Sequence, residues 1–310
     1  MAREAIHITD VSPRDGLQNQ AVAVSTADKL ELVRRLVAAG VASVEATSFV
    51  SPKAVPQMAD AAELLPLIHA ALPALRVSAL VPNLKGLERA HAAGAREVAV
   101  VLSATETMNR RNINMGLDEA TDVSAQTLQQ ARAAGLATRA YVAVAFECPF
   151  EGAVPAERVF ALAQRMAAAG AQEVVVADTI GAAAPAEVKA RLATLLQALP
   201  GTTLAVHLHD TRGLGSALAW AALEAGVRRF DASVGGIGGC PFAPGASGNI
   251  VTEDLVFLLE AMGLRTGISI PRLLEVRRLV QEALPGEQLY GFVPDAGVPR
   301  GFVPATAAAA

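Results

Sequence analysis

The sequence predicts an α/β protein in which eight parallel strands close into a (β/α)8 TIM barrel. The first observation is a strict alternation of short apolar runs with helical segments along most of the 310 residues. The second is a recurring Ala-Ala-Gly or Glu-Ala-Gly at the ends of helical segments, because glycine there supplies the left-handed cap that ends a helix. Eight strands that are each followed by a helix are typical of a closed parallel barrel.

The elements follow one another along the chain. Each predicted strand is a short apolar run bounded by turn residues, and each predicted helix shows a longer amphipathic pattern. Strands are predicted at residues 6–11, 43–47, 76–81, 97–103, 138–145, 173–178, 204–209 and 229–234. Helices are predicted at residues 27–38, 118–134, 155–169, 185–198 and 213–225, and two more at 252–262 and 271–283.

The predicted barrel forms one catalytic domain over residues 1–284, followed by a tail over residues 285–310. Proline and glycine become frequent in the tail, which is therefore predicted to cross the surface without regular structure and to fray from residue 305 onward. An open doubly wound sheet is the alternative architecture. It is disfavoured because no Gly-x-Gly-x-x-Gly follows the first predicted strand, where a dinucleotide-binding turn would lie.

Composition and charge exclude several classes of protein. The hydrophobic fraction of 52% suffices for one large core, and a net charge of -4 provides no basic surface for nucleic acid. No segment approaches the roughly 20 apolar residues of a membrane span, and the amino terminus lacks a signal-peptide stretch, so a cytoplasmic protein is expected. Cys148 and Cys240 are expected to be reduced thiols, and Cys148 a plain buried one.

Polar side chains gather where the predicted strands end. Catalytic groups of this fold lie at the carboxyl ends of its strands, so these side chains are expected to converge. The first strand leads into Arg14, Asp15 and Gln18, the second ends at Glu45, the sixth at Asp178 and Thr179, the seventh at His207 and His209, and the eighth runs into a glycine-rich loop over residues 235–249.

A metal site is the first hypothesis for this end of the barrel. His207 and His209 point to the same side of a strand, because side chains alternate along it, and two such imidazoles can chelate one ion. Asp15 and Asn249 offer oxygen, and a mixed nitrogen and oxygen set without thiolate favours Mg²⁺ or Mn²⁺ over Zn²⁺. The alternatives stay open: core histidines, a turn residue at Asp15 and a helix N-cap at Asn249.

Three further side chains suggest chemistry on an anionic intermediate. Arg14 is adjacent to a proposed ligand, and a guanidinium stabilises an enolate or carboxylate oxygen, although a surface salt bridge is the alternative. Cys240 lies in the glycine-rich loop, where an accessible thiol can act as an acid or a base. Glu45 ends an apolar strand and is expected to support Arg14 or the metal, with a structural ion pair as the alternative.

Four segments together resemble the 3-hydroxy-3-methylglutaryl-coenzyme A lyase family of the DRE-TIM metallolyase superfamily. They are Ser-Pro-Arg-Asp-Gly-Leu-Gln-Asn from residue 12, Glu-Ala-Thr-Ser-Phe-Val-Ser-Pro-Lys from residue 45, His-Leu-His-Asp-Thr from residue 207 and Gly-Gly-Cys-Pro-Phe-Ala-Pro-Gly-Ala-Ser-Gly-Asn-Ile-Val-Thr-Glu-Asp from residue 238. The resemblance runs from about residue 6 to residue 274. The glycine-rich segment around Cys240 is its most specific part.

This resemblance implies a divalent-metal-dependent retro-Claisen cleavage of an acyl-CoA thioester, giving acetyl-CoA and a 3-keto acid such as acetoacetate. It implies metal ligands at Asp15, His207, His209 and Asn249. It implies that Arg14 stabilises the enolate, that Cys240 handles the proton at that carbon, and that Glu45 and Glu253 support the site. The hypothesis takes Arg14, Cys240, Glu45, His207 and Asp15 as catalytic, and Arg14, Gln18, Asp178, Thr179 and Arg212 as substrate-binding.

Three positions depart from the usual pattern of the family. Arg212 stands where tyrosine is usual, Val175 replaces a small polar residue, and Ala54 replaces a tryptophan. The substrate could therefore be another 3-hydroxy-3-alkylglutaryl thioester. A synthase that condenses acetyl-CoA with a 2-keto acid is an alternative, which Leu17 disfavours because glutamate is usual there in such synthases. A non-catalytic metal-binding or thioester-binding protein is another. An exposed apolar barrel end could support a homodimer.

Overall fold

Eight parallel strands close into a barrel in the computed structural model, which describes residues 3–239 and 248–307. Each barrel strand pairs with its neighbours in chain order, and the last pairs with the first. The predicted fold is therefore confirmed, with strand bounds close to those expected. The barrel strands are β1 (His7–Asp10), β2 (Ser43–Ser48), β3 (Arg76–Leu80), β4 (Glu97–Ser103), β5 (Ala137–Ala143), β8 (Glu173–Asp178), β9 (Thr203–Leu208) and β10 (Arg229–Ala232), while β6 (Glu147–Cys148) and β7 (Gly152–Ala153) form a small hairpin outside the barrel.

Helices surround the barrel and bury their apolar faces against the strands. Local signals set several of their ends: the Ser25 side chain caps α1, Asn83 caps α3, and Gly226 ends α8 in the left-handed conformation. The helices are α1 (Thr26–Ala38), α2 (Ala61–Ala71), α3 (Leu84–Ala92), α4 (Glu106–Ile113), α5 (Leu117–Ala133), α6 (Ala156–Ala168), α7 (Pro185–Ala198), α8 (Gly215–Ala225), α9 (Thr252–Ala261), α10 (Ile270–Ala283) and α11 (Val293–Ala296). In the described part of the chain, no helix is both long enough and apolar enough to cross a membrane.

Side chains that point inward fill the barrel in layers. An ion-pair layer at the amino ends of the strands contains Arg76, Glu97, Arg139, Glu173 and Arg229. The next layer toward the carboxyl ends is an apolar cluster of Leu80, Ala99, Tyr141, Val175 and Ala205. Val175, one of the departures from the family pattern, is thus fully buried inside the barrel. The filled interior separates the polar side chains at the carboxyl ends of the strands from the amino end of the barrel.

The tail is more ordered than predicted. The tail contains the short helix α11. The N–H groups of Phe292 and Val293 at the start of this helix donate to the Asp254 carboxylate. The expected fraying from residue 305 is wrong for the residues described, because Ala305 is fully buried and Thr306 donates to Glu260. These anchors are side chains of α9, far away in sequence, so a search for local patterns does not find them.

Candidate metal centre and active site

A wide helical turn after β1 presents the first two candidate residues. Residues Ser12–Gly16 form one π-helical turn, in which the N–H groups of Asp15 and Gly16 both donate to the Val11 carbonyl. π-Helical turns are frequent at functional sites because they re-aim side chains. Here the turn directs Arg14 and Asp15 toward the end of β9. A simple Asp-Gly turn, the alternative interpretation of Asp15, therefore does not describe the backbone at this residue.

His207 and His209 meet at their Nε2 atoms. His207 lies in β9, His209 follows its last residue, and the two Nε2 atoms are 3.1 Å apart. Both residues are buried, and candidate ligand atoms of Asp15, His207 and His209 all lie within 4.8 Å of one another. The structure therefore brings together three of the four predicted metal ligands, and the histidine pair is more than core packing.

Asn249 completes the cluster from the other side of the glycine-rich loop. Its Nδ2 atom donates to Asp15 Oδ2 at 2.7 Å and to the Ile237 carbonyl at 2.9 Å, whereas its buried Oδ1 has no partner among the described residues. The helix-cap alternative is wrong, because α9 begins at Thr252 and Val251 is its N-cap. The free amide oxygen belongs to the site.

The backbone of the glycine-rich loop packs directly on this cluster. Gly238 has a φ of +102°, and a Cβ atom there would lie 2.6 Å from Asn249 Nδ2 and 2.8 Å from Asp15 Oδ2. Only glycine fits such a close approach in the left-handed region. Cys240, the predicted acid or base, follows two residues later and lies outside the described residues.

The donor set fits a hard or borderline divalent cation. Two ligands that lie about 2.1 Å from one ion at right angles are separated by about 3 Å, which agrees with the distance between the two Nε2 atoms. Burial lowers the pKa of His209 to about 3, so its imidazole is neutral and keeps a lone pair. Burial opposes ionisation of Asp15, but Arg14 and the two histidines hold its pKa below the ordinary value. The unpartnered Asn249 Oδ1 supplies a further oxygen.

Arg14 is held at the edge of the metal cluster by two carboxylates. Its Nη1 donates to Asp15 Oδ1 at 2.6 Å, and its Nε donates to Glu45 through a very short contact. Burial disfavours the guanidinium charge, but Glu45 and Asp15 outweigh it and raise the pKa of Arg14. Only 8% of Arg14 is exposed, so the alternative of a surface salt bridge is wrong. Glu45 forms an ion pair with Arg14, as one of its two interpretations predicted. This ion pair lies beside the metal cluster.

Two residues inside the barrel belong to the site but were missed by the sequence analysis. The Tyr141 hydroxyl lies 3.1 Å from Glu45 Oε2 and 2.8 Å from Asp231 Oδ2. Asp231 Oδ2 in turn lies 3.4 Å from His207 Nδ1. A chain of polar contacts therefore runs from Arg14 through the barrel to the metal cluster. The signal was charged or polar residues at alternate positions within β5 and β10.

The residues predicted to bind substrate lie around the site in different roles. Gln18 has a buried Oε1 without a partner among the described residues, so its amide is available to a ligand. The Asp178 carboxylate accepts from the N–H groups of Ala182 and Ala183, and Thr179 Oγ1 accepts from the Val144 N–H at 2.7 Å. Asp178 and Thr179 thus organise the loops after β8 and β5.

Arg212 is hydrogen-bonded to the loop after β8. Its Nη1 donates to the carbonyls of Ile180 and Gly181, each at 3.0 Å. These bonds use the guanidinium to close the loop after β8. The interpretation of Arg212 as a receptor for an acyl carboxylate stays a prediction.

Arg212→Met should lower the free energy of unfolding by about 1 kcal/mol while leaving Mn²⁺ affinity unchanged, because two charge-assisted bonds to backbone are lost at an exposed position. Urea unfolding and calorimetric metal titration measure the two effects. Lys189→Met is the control, since the one ion pair of Lys189 among the described residues is an exposed contact with Glu224. A change in metal affinity of tenfold or more would contradict a purely loop-closing role.

Glu253 supports the base of the glycine-rich loop. Its carboxylate accepts from the Gly235 N–H at 3.1 Å and lies 3.3 Å from Arg277 Nη1. Burial raises the pKa of Glu253 to about 7 from an ordinary value of 4.5, against the opposing effects of these two partners. The side chain is thus placed to hold the loop in either protonation state.

The raised pKa of Glu253 predicts a specific pH dependence of stability. Between pH 4.5 and about 7 the folded state keeps a proton that the unfolded state releases, so the contribution of Glu253 to stability falls as pH rises through this window. Glu253→Gln should remove this contribution. Urea unfolding of both proteins at pH 5 and pH 8 measures it, and parallel pH profiles would contradict the assignment.

The chain matches the family model described as HMGL-like over residues 5–280. It is 45% identical to the mitochondrial hydroxymethylglutaryl-CoA lyase of Bos taurus over 90% of this chain and 86% of the relative. It is 42% identical to the hydroxymethylglutaryl-CoA lyase YngG of Bacillus subtilis over 90% of this chain and 93% of the relative. A solved HMG-CoA lyase from Acinetobacter baumannii, in complex with coenzyme A and 3-methylmalate, has a TM-score of 0.90 at 39% identity and covers 97% of both chains.

Proposed function

Since the chain belongs to the HMGL-like family, we propose that it is a carbon-carbon lyase that cleaves 3-hydroxy-3-methylglutaryl-CoA into acetyl-CoA and acetoacetate. The observation that carries this function is the convergence of Arg14 with Asp15, His207, His209 and Asn249 at one end of the barrel. A retro-Claisen cleavage needs these two features together, a cation for the hydroxyl oxygen and a donor for the enolate oxygen.

Asp15, His207, His209 and Asn249 would hold the metal. A bound divalent cation lowers the pKa of a coordinated substrate hydroxyl and so eases its deprotonation. We favour Mg²⁺ or Mn²⁺ over Zn²⁺, because two of the four ligands are oxygens and none is a thiolate.

Arg14 acts on the other product. When a general base takes the hydroxyl proton and the carbon-carbon bond breaks, the electron pair of that bond flows into the thioester and forms an enolate. The Arg14 guanidinium, fixed by Glu45 and Asp15, stabilises that oxygen without having to reorganise. Cys240 then delivers a proton to the enolate carbon, which completes acetyl-CoA.

The two other classes of function are disfavoured by the relatives and by the site. A condensing synthase does not agree with relatives at 42% and 45% identity that carry the name of the lyase. A non-catalytic binding protein would not need the buried arrangement of Arg14 and Glu45 beside the metal ligands. We further propose a cytoplasmic protein that acts on an acyl-CoA thioester and forms a homodimer.

The test uses purified full-length protein that has been stripped of metal with a chelator. The stripped protein should be inactive, and added Mg²⁺ or Mn²⁺ should restore release of acetyl-CoA from 3-hydroxy-3-methylglutaryl-CoA. A parallel series of thioesters with longer alkyl groups at C3 measures the acyl preference. Absence of acetyl-CoA from every thioester, with metal bound, would overturn the function.

A further inference from the structure

The two ring nitrogens of His207 face different parts of the molecule. Nε2 faces His209 at the candidate metal centre, and Nδ1 faces the interior of the barrel. A neutral imidazole carries its single proton on one of these nitrogens, and it can bind a cation only through the other. A residue that accepts the Nδ1 proton therefore decides whether Nε2 is free to coordinate.

Asp231 is the residue that lies opposite Nδ1. It belongs to β10, is 1% exposed, and its Oδ2 is 3.4 Å from His207 Nδ1. His207 Nδ1 is buried and has no hydrogen-bond partner in the described part of the chain, and Asp231 Oδ2 is the carboxylate oxygen near it. The Tyr141 ring lies edge-on to the His207 imidazole, with centroids 5.9 Å apart, and limits its rotation.

Asp231 is held in place by donors on its other sides. Arg139 Nη2 donates to Oδ1 at 2.8 Å, and the Tyr141 hydroxyl lies 2.8 Å from Oδ2. These two contacts fix the Asp231 carboxylate opposite Nδ1, which is what a carboxylate–histidine–metal arrangement requires.

We propose that Asp231 is the positioning residue of the metal centre: it accepts the Nδ1 proton of His207 and thereby presents the Nε2 lone pair to the divalent cation. The inference rests on the proposed metal-dependent function and extends it into the barrel interior. It also explains why an aspartate stands inside a buried strand, one residue before the strand ends.

An amide cannot replace this carboxylate. Arg139, Tyr141 and, in the coordinating tautomer, His207 are all donors toward Asp231, so the amide group of asparagine would direct its own N–H bonds at one of them. Asp231→Asn should therefore disturb the His207 tautomer with almost no change in side-chain volume. A loss of 10- to 100-fold in metal affinity is the expected size for a partner of a metal ligand.

The experiment measures Mn²⁺ affinity of the full-length protein by calorimetry without substrate. Glu173→Gln is the matched control: Glu173 is also buried and accepts from the other side of Arg139 at 2.6 Å, but it does not reach His207. The proposal expects the loss of affinity in Asp231→Asn and wild-type affinity in Glu173→Gln. Wild-type Mn²⁺ affinity in both variants, or an equal loss of affinity in both, would overturn it.

A second measurement keeps the proposal testable if Asp231→Asn does not fold. Nitrogen NMR of histidine-labelled wild type with saturating Mg²⁺ reports which nitrogen of His207 carries the proton, and the signal is assigned by its loss in His207→Gln. Protonated Nδ1 supports the proposal, and protonated Nε2 refutes it. Failure of the wild type itself to bind Mn²⁺ or Mg²⁺ would instead refute the proposed function.

Discussion

Arg14→Gln should lower kcat by about 10²-fold or more, because removing one preorganised donor from a developing oxyanion has an effect of this size. Metal affinity should stay within a few fold of wild type, since Arg14 contacts the ligand Asp15 but is not itself a ligand. Steady-state kinetics at saturating Mn²⁺, together with a calorimetric titration, separates these two readouts.

A second arginine provides the control for Arg14. Arg89 Nη1 donates to the carbonyls of Phe49 and Val50, and its guanidinium lies over the Phe49 ring. Arg89→Gln removes a guanidinium that also makes two hydrogen bonds, but to backbone carbonyls and not to residues of the metal cluster, and it should leave kcat nearly unchanged. Near-normal turnover of Arg14→Gln would show that the enolate is stabilised by some other group.

His209→Ala should abolish tight binding of Mn²⁺ and lower kcat/KM by about 10³-fold, because Lewis-acid stabilisation by a metal contributes several kcal/mol to the transition state. The direct readout is the binding isotherm, and the rate at high metal concentration shows how much activity returns. The variant should stay folded, since His209 Nδ1 makes no hydrogen bond within the described residues.

His69→Ala is the matched control for this experiment. His69 lies in α2, and neither of its ring nitrogens has a partner in the described parts of the chain. Its replacement should leave metal affinity and turnover as in the wild type. Full retention of Mn²⁺ affinity in His209→Ala would remove this histidine from the ligand set.

The barrel could be predicted because its signals are local. Each strand is a short apolar run and each helix an amphipathic one, so periodicity alone places most of the elements. The ordered tail could not be predicted in this way. Its order comes from Asp254 and Glu260, acidic side chains of α9 that accept hydrogen bonds from residues far along the chain. Such contacts leave no pattern in the tail itself.

Most of the metal ligands could be predicted from the sequence for the same reason. His207 and His209 show the strand period, and Asp15 follows a strand end, so the fold brings them together. Tyr141 and Asp231 were overlooked because only the ends of strands were read for function. Both occupy inward positions within strands, where an apolar residue is usual, and this alternation is the signal that could have revealed them.

The interpretation of the loop after β8 shows where sequence patterns are weakest. Asp178, Thr179 and Arg212 have the chemistry of substrate-binding residues, but the structure shows them bonded to backbone groups. A polar side chain at a strand end can bind a ligand or its own loop, and composition does not distinguish the two. A direct contact of these three side chains with substrate stays a prediction.

The anchored tail connects the last part of the chain to the start of the glycine-rich loop. The Tyr290 N–H donates to the Gly235 carbonyl at 2.8 Å. A residue of the tail is therefore hydrogen-bonded to the first residue of the glycine-rich loop. Synthesis of the chain must reach Tyr290 before this hydrogen bond can form. Products of interrupted synthesis or proteolysis that end before Tyr290 would therefore lack this hydrogen bond to Gly235.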